Sequence, residues 1–142
     1  MSDDGERALR YALDLETLRN LGQRYARAAD ARDYDTVGAL FHPDAVIDGL
    51  RGSSPLAEYL EMSRSTPPAY EQSMHVLGDP LIELEVGEDT ATLDTYAVVH
   101  QIGATRESGG NNTLGVRYLD VVERRDGEWR IRHRRTELRF MI

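Results

Sequence analysis

At 142 residues the chain is one domain's worth, long enough to bury about 70% of the surface that its unfolded form exposes. Its 40% hydrophobic and 30% charged content is too apolar for a disordered segment, and the absence of cysteine excludes disulfides, thiolate metal sites and a cysteine nucleophile. A net charge of −8 argues against nucleic acid or an anionic membrane as partner, while the acidic start and the lack of a long apolar run point to a soluble cytoplasmic protein.

Residues 1–13 read as a frayed tail. From Asp14, a plausible N-cap, the positions Leu15, Leu18, Leu21, Tyr25 and Ala28 recur at helical spacing and predict a helix to about Ala31. A shorter helix is expected from Tyr34 to Phe41, capped by Asp33 and stopped by Pro43, with Val37, Leu40 and Phe41 facing inward. Asp44 to Asp48 reads as a short strand. Ser54-Pro55 then opens a third helix with an inner face of Leu56, Tyr59 and Leu60, and Thr66-Pro67-Pro68 ends it.

Beyond that point the period changes from about 3.6 to 2. Gln72 to Val86 is expected as a strand broken near Gly78-Asp79-Pro80, because proline cannot donate to a ladder. Strands follow at Thr90 to Ile102, Asn112 to Arg124 and Glu128 to Phe140, with a loop at Gly103 to Gly110 and an Asp126-Gly127 hairpin turn. Three helices with a short strand among them, then an antiparallel meander, make a single α+β domain over residues 1–142. A curved sheet wrapped around helices leaves a cavity in its mouth, a common place for a small-molecule site. All 17 basic residues are arginines, and nine of them lie in residues 101–142, so the last strand is basic and is read as a solvated or subunit-facing strand.

Four histidines are available: His42, His75, His100 and His133. None forms a short zinc-type pair. His42 reads as a turn residue, and His133 falls on the opposite strand face from Arg134. His75 and His100 sit among apolar residues on strands expected to be neighbours. Asp30 closes the first helix after the small residues Ala28 and Ala29, where a carboxylate opposes the helix dipole. Turned inward, it needs a cation or an N–H, and a histidine on the sheet supplies one. A carboxylate on one imidazole nitrogen fixes the tautomer and leaves the other nitrogen to take a proton.

Two stretches carry a family resemblance. Tyr25-Ala26-Arg27-Ala28-Ala29-Asp30-Ala31-Arg32-Asp33 with Leu40-Phe41-His42-Pro43-Asp44-Ala45 resembles the opening of the SnoaL-like proteins of the NTF2-like superfamily. Tyr118-Leu119-Asp120 with Arg124-Arg125-Asp126-Gly127-Glu128-Trp129-Arg130-Ile131 resembles its last hairpin. The resemblance implies a cone-shaped α+β barrel, three N-terminal helices packed in a curved antiparallel sheet, assembled as a homodimer or homotrimer. Within the superfamily the chain is most similar to the scytalone dehydratase and hexachlorocyclohexane dehydrochlorinase branch. That similarity implies an Asp30–His75 base dyad, a second site histidine at His100 and an active-site arginine at Arg134. The tyrosine that precedes the aspartate in the dehydratase is Ala29 here.

The expected activity is that of a cofactor-independent lyase or isomerase acting on a small, apolar, cyclic substrate. His75 would remove a proton, His100 would serve the leaving group, and Arg134 or a tyrosine would steady the developing anion. Tyr96, Tyr118 and Asn112, with Asn111, are candidates for polar contacts to the substrate. The alternative is a binding or interaction module of the same fold without turnover. A metal site built from Asp30, His75 and His100 has the right ligand types, but the resemblance implies none.

Overall fold

The computed structural model describes residues 2–103 and 110–142. Helix α1 spans Asp3–Asp30, so it begins eleven residues before the expected cap. Ser2 is the real N-cap, its hydroxyl accepting from the Gly5 N–H at 3.1 Å, and Asp3, Asp4 and Glu6 complement the dipole in the first turn. The acidic opening is therefore a helix start, not a frayed tail. Asp14 lies inside the helix and is buried. It accepts from the Trp129 indole at 3.0 Å and from Arg124 at 2.8 Å, tying α1 to the last hairpin.

The C-terminal end of α1 fixes where the site will be. Arg32 takes the left-handed conformation (φ 55°), and the N–H groups of Arg32 and Asp33 return to the carbonyls of Ala29 and Ala28. This Schellman-type ending turns the chain sharply and leaves Asp30 in the last turn, beside the sheet.

Helix α2 is Tyr34–Ala39, capped by the Asp33 carboxylate as expected. It ends before Phe41, which opens strand β1 (Phe41–Gly49). Pro43 thus sits within a strand, where the register shift between Phe41 and Val46 accommodates its missing donor. Strand β2 (Gly52–Pro55) pairs back on β1, so the segment read as a helix opening is a hairpin arm. Pro55 is the extended N-cap of α3 (Leu56–Ser65).

Strands β3 (Gln72–Leu77) and β4 (Leu81–Glu83) flank the expected break, followed by β5 (Thr90–Ile102), β6 (Asn112–Arg125) and β7 (Glu128–Met141). The expected loop at Gly103 to Gly110 lies, for its residues 104–109, outside the described residues. The sheet runs β2-β1-β7-β6-β5-β3, with β4 beside β5, and among the described residues only the β1–β7 pairing is parallel. Irregularities at Gly115/Val116 and Val121/Val122 help it curl around the helices without closing. Leu18, Leu21, Val37, Phe41, Val99, Val122 and Ile131 meet in the concavity as the core. Among the described residues no helix is long and apolar enough to cross a membrane.

Candidate active site

His75 stands on β3, directly opposite Val99 on β5, and faces the concave side of the sheet. Its Nδ1 lies 2.6 Å from Asp30 Oδ1. The same carboxylate accepts from the His75 backbone N–H at 2.9 Å and from the Ser73 hydroxyl at 2.9 Å. Ser73 and His75 are two apart on a strand, so both side chains reach the end of α1 from one face. Burial pushes the Asp30 carboxyl up, but the backbone N–H and ring of His75 and the Ser73 hydroxyl outweigh it and hold the carboxyl below its ordinary range. An ionised carboxylate only accepts, so Nδ1 carries the imidazole proton. Nε2 has no hydrogen-bond partner among the described residues.

A depressed carboxyl stabilises the fold only while it is ionised. Its contribution is complete above the unfolded carboxylate value, about 4, and is lost as pH falls through the lower folded value. The stability gap between the wild type and Asp30→Asn is therefore expected to hold from neutral pH down to about pH 4 and to shrink below it. Urea midpoints across a pH series measure the gap. A gap unchanged at about pH 2.5 would mean that the donors do not select the ionised form.

Beside His75 opens a cavity of about 550 Å³. Its inner wall carries Tyr25, Phe41, Tyr59, Val99, Tyr118 and Arg134. The Tyr25 ring lies edge-on to the imidazole, with centroids 5.9 Å apart. Arg134 is 4% exposed, and its guanidinium lies 4.1 Å from the Tyr25 ring centre and 4.3 Å from that of Tyr118. Asp120 grips it through Nε at 2.8 Å and Nη2 at 3.0 Å. Burial works against the charge of Arg134, but the Asp120 carboxylate outweighs burial and holds the group cationic. Nη1 is buried and unpartnered.

Burial pushes Tyr118 up to about 12, against the pull of Arg134. It also lifts Tyr25 above the ordinary phenol range, while Tyr59 is raised first by its neighbour Tyr25 and then by burial. All three phenols stay protonated at neutral pH. The cavity thus sets an imidazole against neutral hydroxyls and one buried cation.

Of the residues singled out in the sequence, Asp30, His75, Tyr118 and Arg134 come together beside this cavity. The other candidates, His100, Tyr96, Asn112 and Asn111, do not line it. His100 is exposed on the outer face, its Nδ1 3.0 Å from the Thr113 hydroxyl. Val99 is the residue that faces His75, and in a strand the next side chain must point away. The candidate metal set of Asp30, His75 and His100 is split by the sheet, and no such cluster exists among the described residues. Tyr96 is also outward, 62% exposed, with its ring near the Arg117 guanidinium. Asn112 shares the inward parity of Leu114 but sits at the end of β6, outside the cavity wall. Asn111 accepts from the Gly103 N–H.

His42 is a buried strand residue whose Nε2 lies 2.6 Å from the Glu123 carbonyl oxygen, not a turn residue. His133 takes the face opposite Arg134 and pairs with Asp48. The sequence did not single out Ser73, Tyr59 or Asp120 for the site. The signal for Asp120 was its shared parity with Tyr118 and Val122, since a carboxylate on a buried face needs a cation.

The profile of the SnoaL-like domain matches residues 10–135. The chain belongs to the SnoaL-like family. A type 2 hexachlorocyclohexane dehydrochlorinase superposes with a TM-score of 0.85 at 15% identity, over 95% of this chain and 91% of that one. The type 3 enzyme of Novosphingobium barchaimii LL02 gives 0.83 at 14% identity, over 95% and 92%. A scytalone dehydratase-like protein of Novosphingobium aromaticivorans DSM 12444 gives 0.78 at 15% identity, over 93% and 88%. At such identities the likeness is one of fold.

Proposed function

We propose that this SnoaL-like protein is a lyase or isomerase that begins its reaction by taking a proton from carbon in a small, largely apolar, cyclic substrate. The observation that carries the reading is the Asp30–His75 pair, with Nδ1 tied down and Nε2 left unpartnered beside the cavity. In this reaction Nε2 accepts the proton, and the C–H electron pair moves toward the adjacent carbonyl or expels the leaving group. Asp30 steadies the imidazolium that forms, an arrangement worth about 10² to 10⁴ in rate for a positioned base. Arg134 Nη1 and the phenols of Tyr59 and Tyr118 hold the developing anion or the departing group. This role passes to them because His100 is on the other face. Two of the structural neighbours bear the names of eliminating enzymes, a hexachlorocyclohexane dehydrochlorinase and a scytalone dehydratase-like protein, which supports the same class of chemistry here.

A panel of cyclic hydroxy-ketones and halogenated rings, incubated with the protein in D₂O and followed by proton NMR, tests the reading. Deuterium incorporation next to the carbonyl, or appearance of the alkene, is expected, and both should vanish in His75→Gln. Ligands that bind without exchange or elimination would instead make the chain a binding module.

A further inference from the structure

We infer that the substrate is a cyclic carboxylate, its anionic end held at the cavity rim by Arg32 and Arg51 and its ring lying on the inner wall beside His75. This rests on the cavity being a substrate site and adds the charge of the molecule that enters it. Among the described residues four arginines and one acid line the cavity, in a chain of net charge −8. Arg134 is balanced by Asp120, and Arg64 by Asp35 at 2.7 Å. Arg32 and Arg51 have no ion-pair partner among the described residues, which leaves two cations against the one lining acid, Glu58. Both arginines are exposed although they line the cavity, so they stand at its rim.

Arg32 is fixed in place before any ligand arrives. It holds the left-handed conformation (φ 55°) at a helix end where glycine would be free of strain. Its Nη2 donates to the carbonyl oxygens of Tyr70 at 2.6 Å and Glu71 at 3.1 Å, and its guanidinium carbon lies 5.8 Å from the Tyr70 ring centre. Both bonds use one nitrogen, so Nε and Nη1 are left to donate to a ligand. Strain retained at a residue whose side chain is held at a cavity mouth points to a use for that side chain.

Arg51 comes from the turn between β1 and β2 and makes no hydrogen bond among the described residues. Tyr34, also on the lining, lies in the field of both arginines. Burial and then the neighbouring phenols Tyr70 and Tyr59 push its hydroxyl up, while Arg32 and Arg51 each pull it down. The phenol therefore stays protonated at the rim as a neutral donor beside two cations.

The donors select the kind of anion. A planar guanidinium fork matches a planar carboxylate, and the single positive charge left over at the rim balances one negative charge. A phosphate ester, with close to two charges at neutral pH, would stay partly uncompensated. The inner wall of Phe41, Val99 and the three phenols suits the ring, because the one cation there is already matched by Asp120.

Calorimetric titration with 4-oxocyclohexanecarboxylate and with its uncharged amide, at about pH 7, tests the inference. The wild type is expected to bind the acid about tenfold more tightly than the amide, as charge-assisted hydrogen bonds would provide. Arg32→Gln/Arg51→Gln should bind the acid no better than the amide, whose own affinity stays unchanged. Arg51→Gln alone removes no bond of the fold and should already cut the preference about threefold. Equal wild-type affinities, no binding of the acid at millimolar concentration, or a preference that survives both substitutions overturns the inference. A fall common to acid and amide in the double variant also overturns it, since Arg32 would then be only a clamp on the loop before β3. Deuterium exchange beside the ring carbonyl, followed on the same ligands, separates this result from the catalytic one. Acid preference without exchange upholds the carboxylate and counts against proton abstraction. Exchange of acid and amide with equal kcat/KM upholds the base and overturns the carboxylate.

Discussion

His75→Ala is expected to lower kcat/KM for proton abstraction by about 10² to 10⁴ while moving the melting temperature by only a few degrees. The argument rests on what the imidazole does for Asp30 and for the core. Asp30 loses one of three donors but keeps the backbone N–H of residue 75 and the Ser73 hydroxyl. Its side chain is 24% exposed, so water can replace the ring nitrogen. The imidazole borders a cavity and not the packed interior, so its truncation enlarges open space and creates no sealed void. Parallel activity and thermal-melt measurements on the variant check both halves. A melting temperature lowered by more than about 10 °C, with activity falling only as the folded fraction falls, would identify His75 as a core residue.

The order of elements was legible because the apolar period changes once, near residue 70, and the turns are marked by glycine and proline. Strand β5 could be bounded at Thr90 and Ile102 because its alternating Thr, Val and Tyr residues run between glycine-marked turns. Asp30 was legible for a different reason: a carboxylate at the wrong end of a helix dipole, after two alanines, demands a partner. The start of α1 was hidden because its first turns are largely exposed and their polar residues resemble a tail. Only the Ser2 cap and the acids behind it reveal a helix.

Strand faces were the harder problem. His75 and His100 are separated by a break, a short strand and a turn, and a difference of one residue in register reverses the face of every side chain. The same parity sends Tyr118 into the cavity and Tyr96 out of it. Arg134 stands among Arg132 and Arg135 with nothing local to distinguish it. What draws it inward is Asp120, its partner in the β6–β7 register, fourteen residues away.

That pair gives the largest expected loss of stability. Asp120→Ala should destabilise the fold by about 3–5 kcal/mol, lowering the melting temperature by roughly 10–15 °C for a chain of this size. The side chains of Arg134 and Asp120 are 4% and 3% exposed, so removal of the carboxylate strands a cation that water cannot reach. The rings of Tyr25 and Tyr118 already stack on the guanidinium, and desolvated stacking is worth only about 2 kcal/mol, too little to replace two charged hydrogen bonds. Arg134 Nη1 has no partner to begin with, so the variant would leave the whole group without a hydrogen-bond acceptor. The double variant Asp120→Leu/Arg134→Met should recover most of the loss, because apolar side chains of similar size remove the buried charges together. Denaturant melts of the three proteins measure this, and a single variant no less stable than the double would refute it. The double variant also separates stability from chemistry. If Nη1 holds the anion formed during the reaction, activity should stay low in that variant after the fold has been restored.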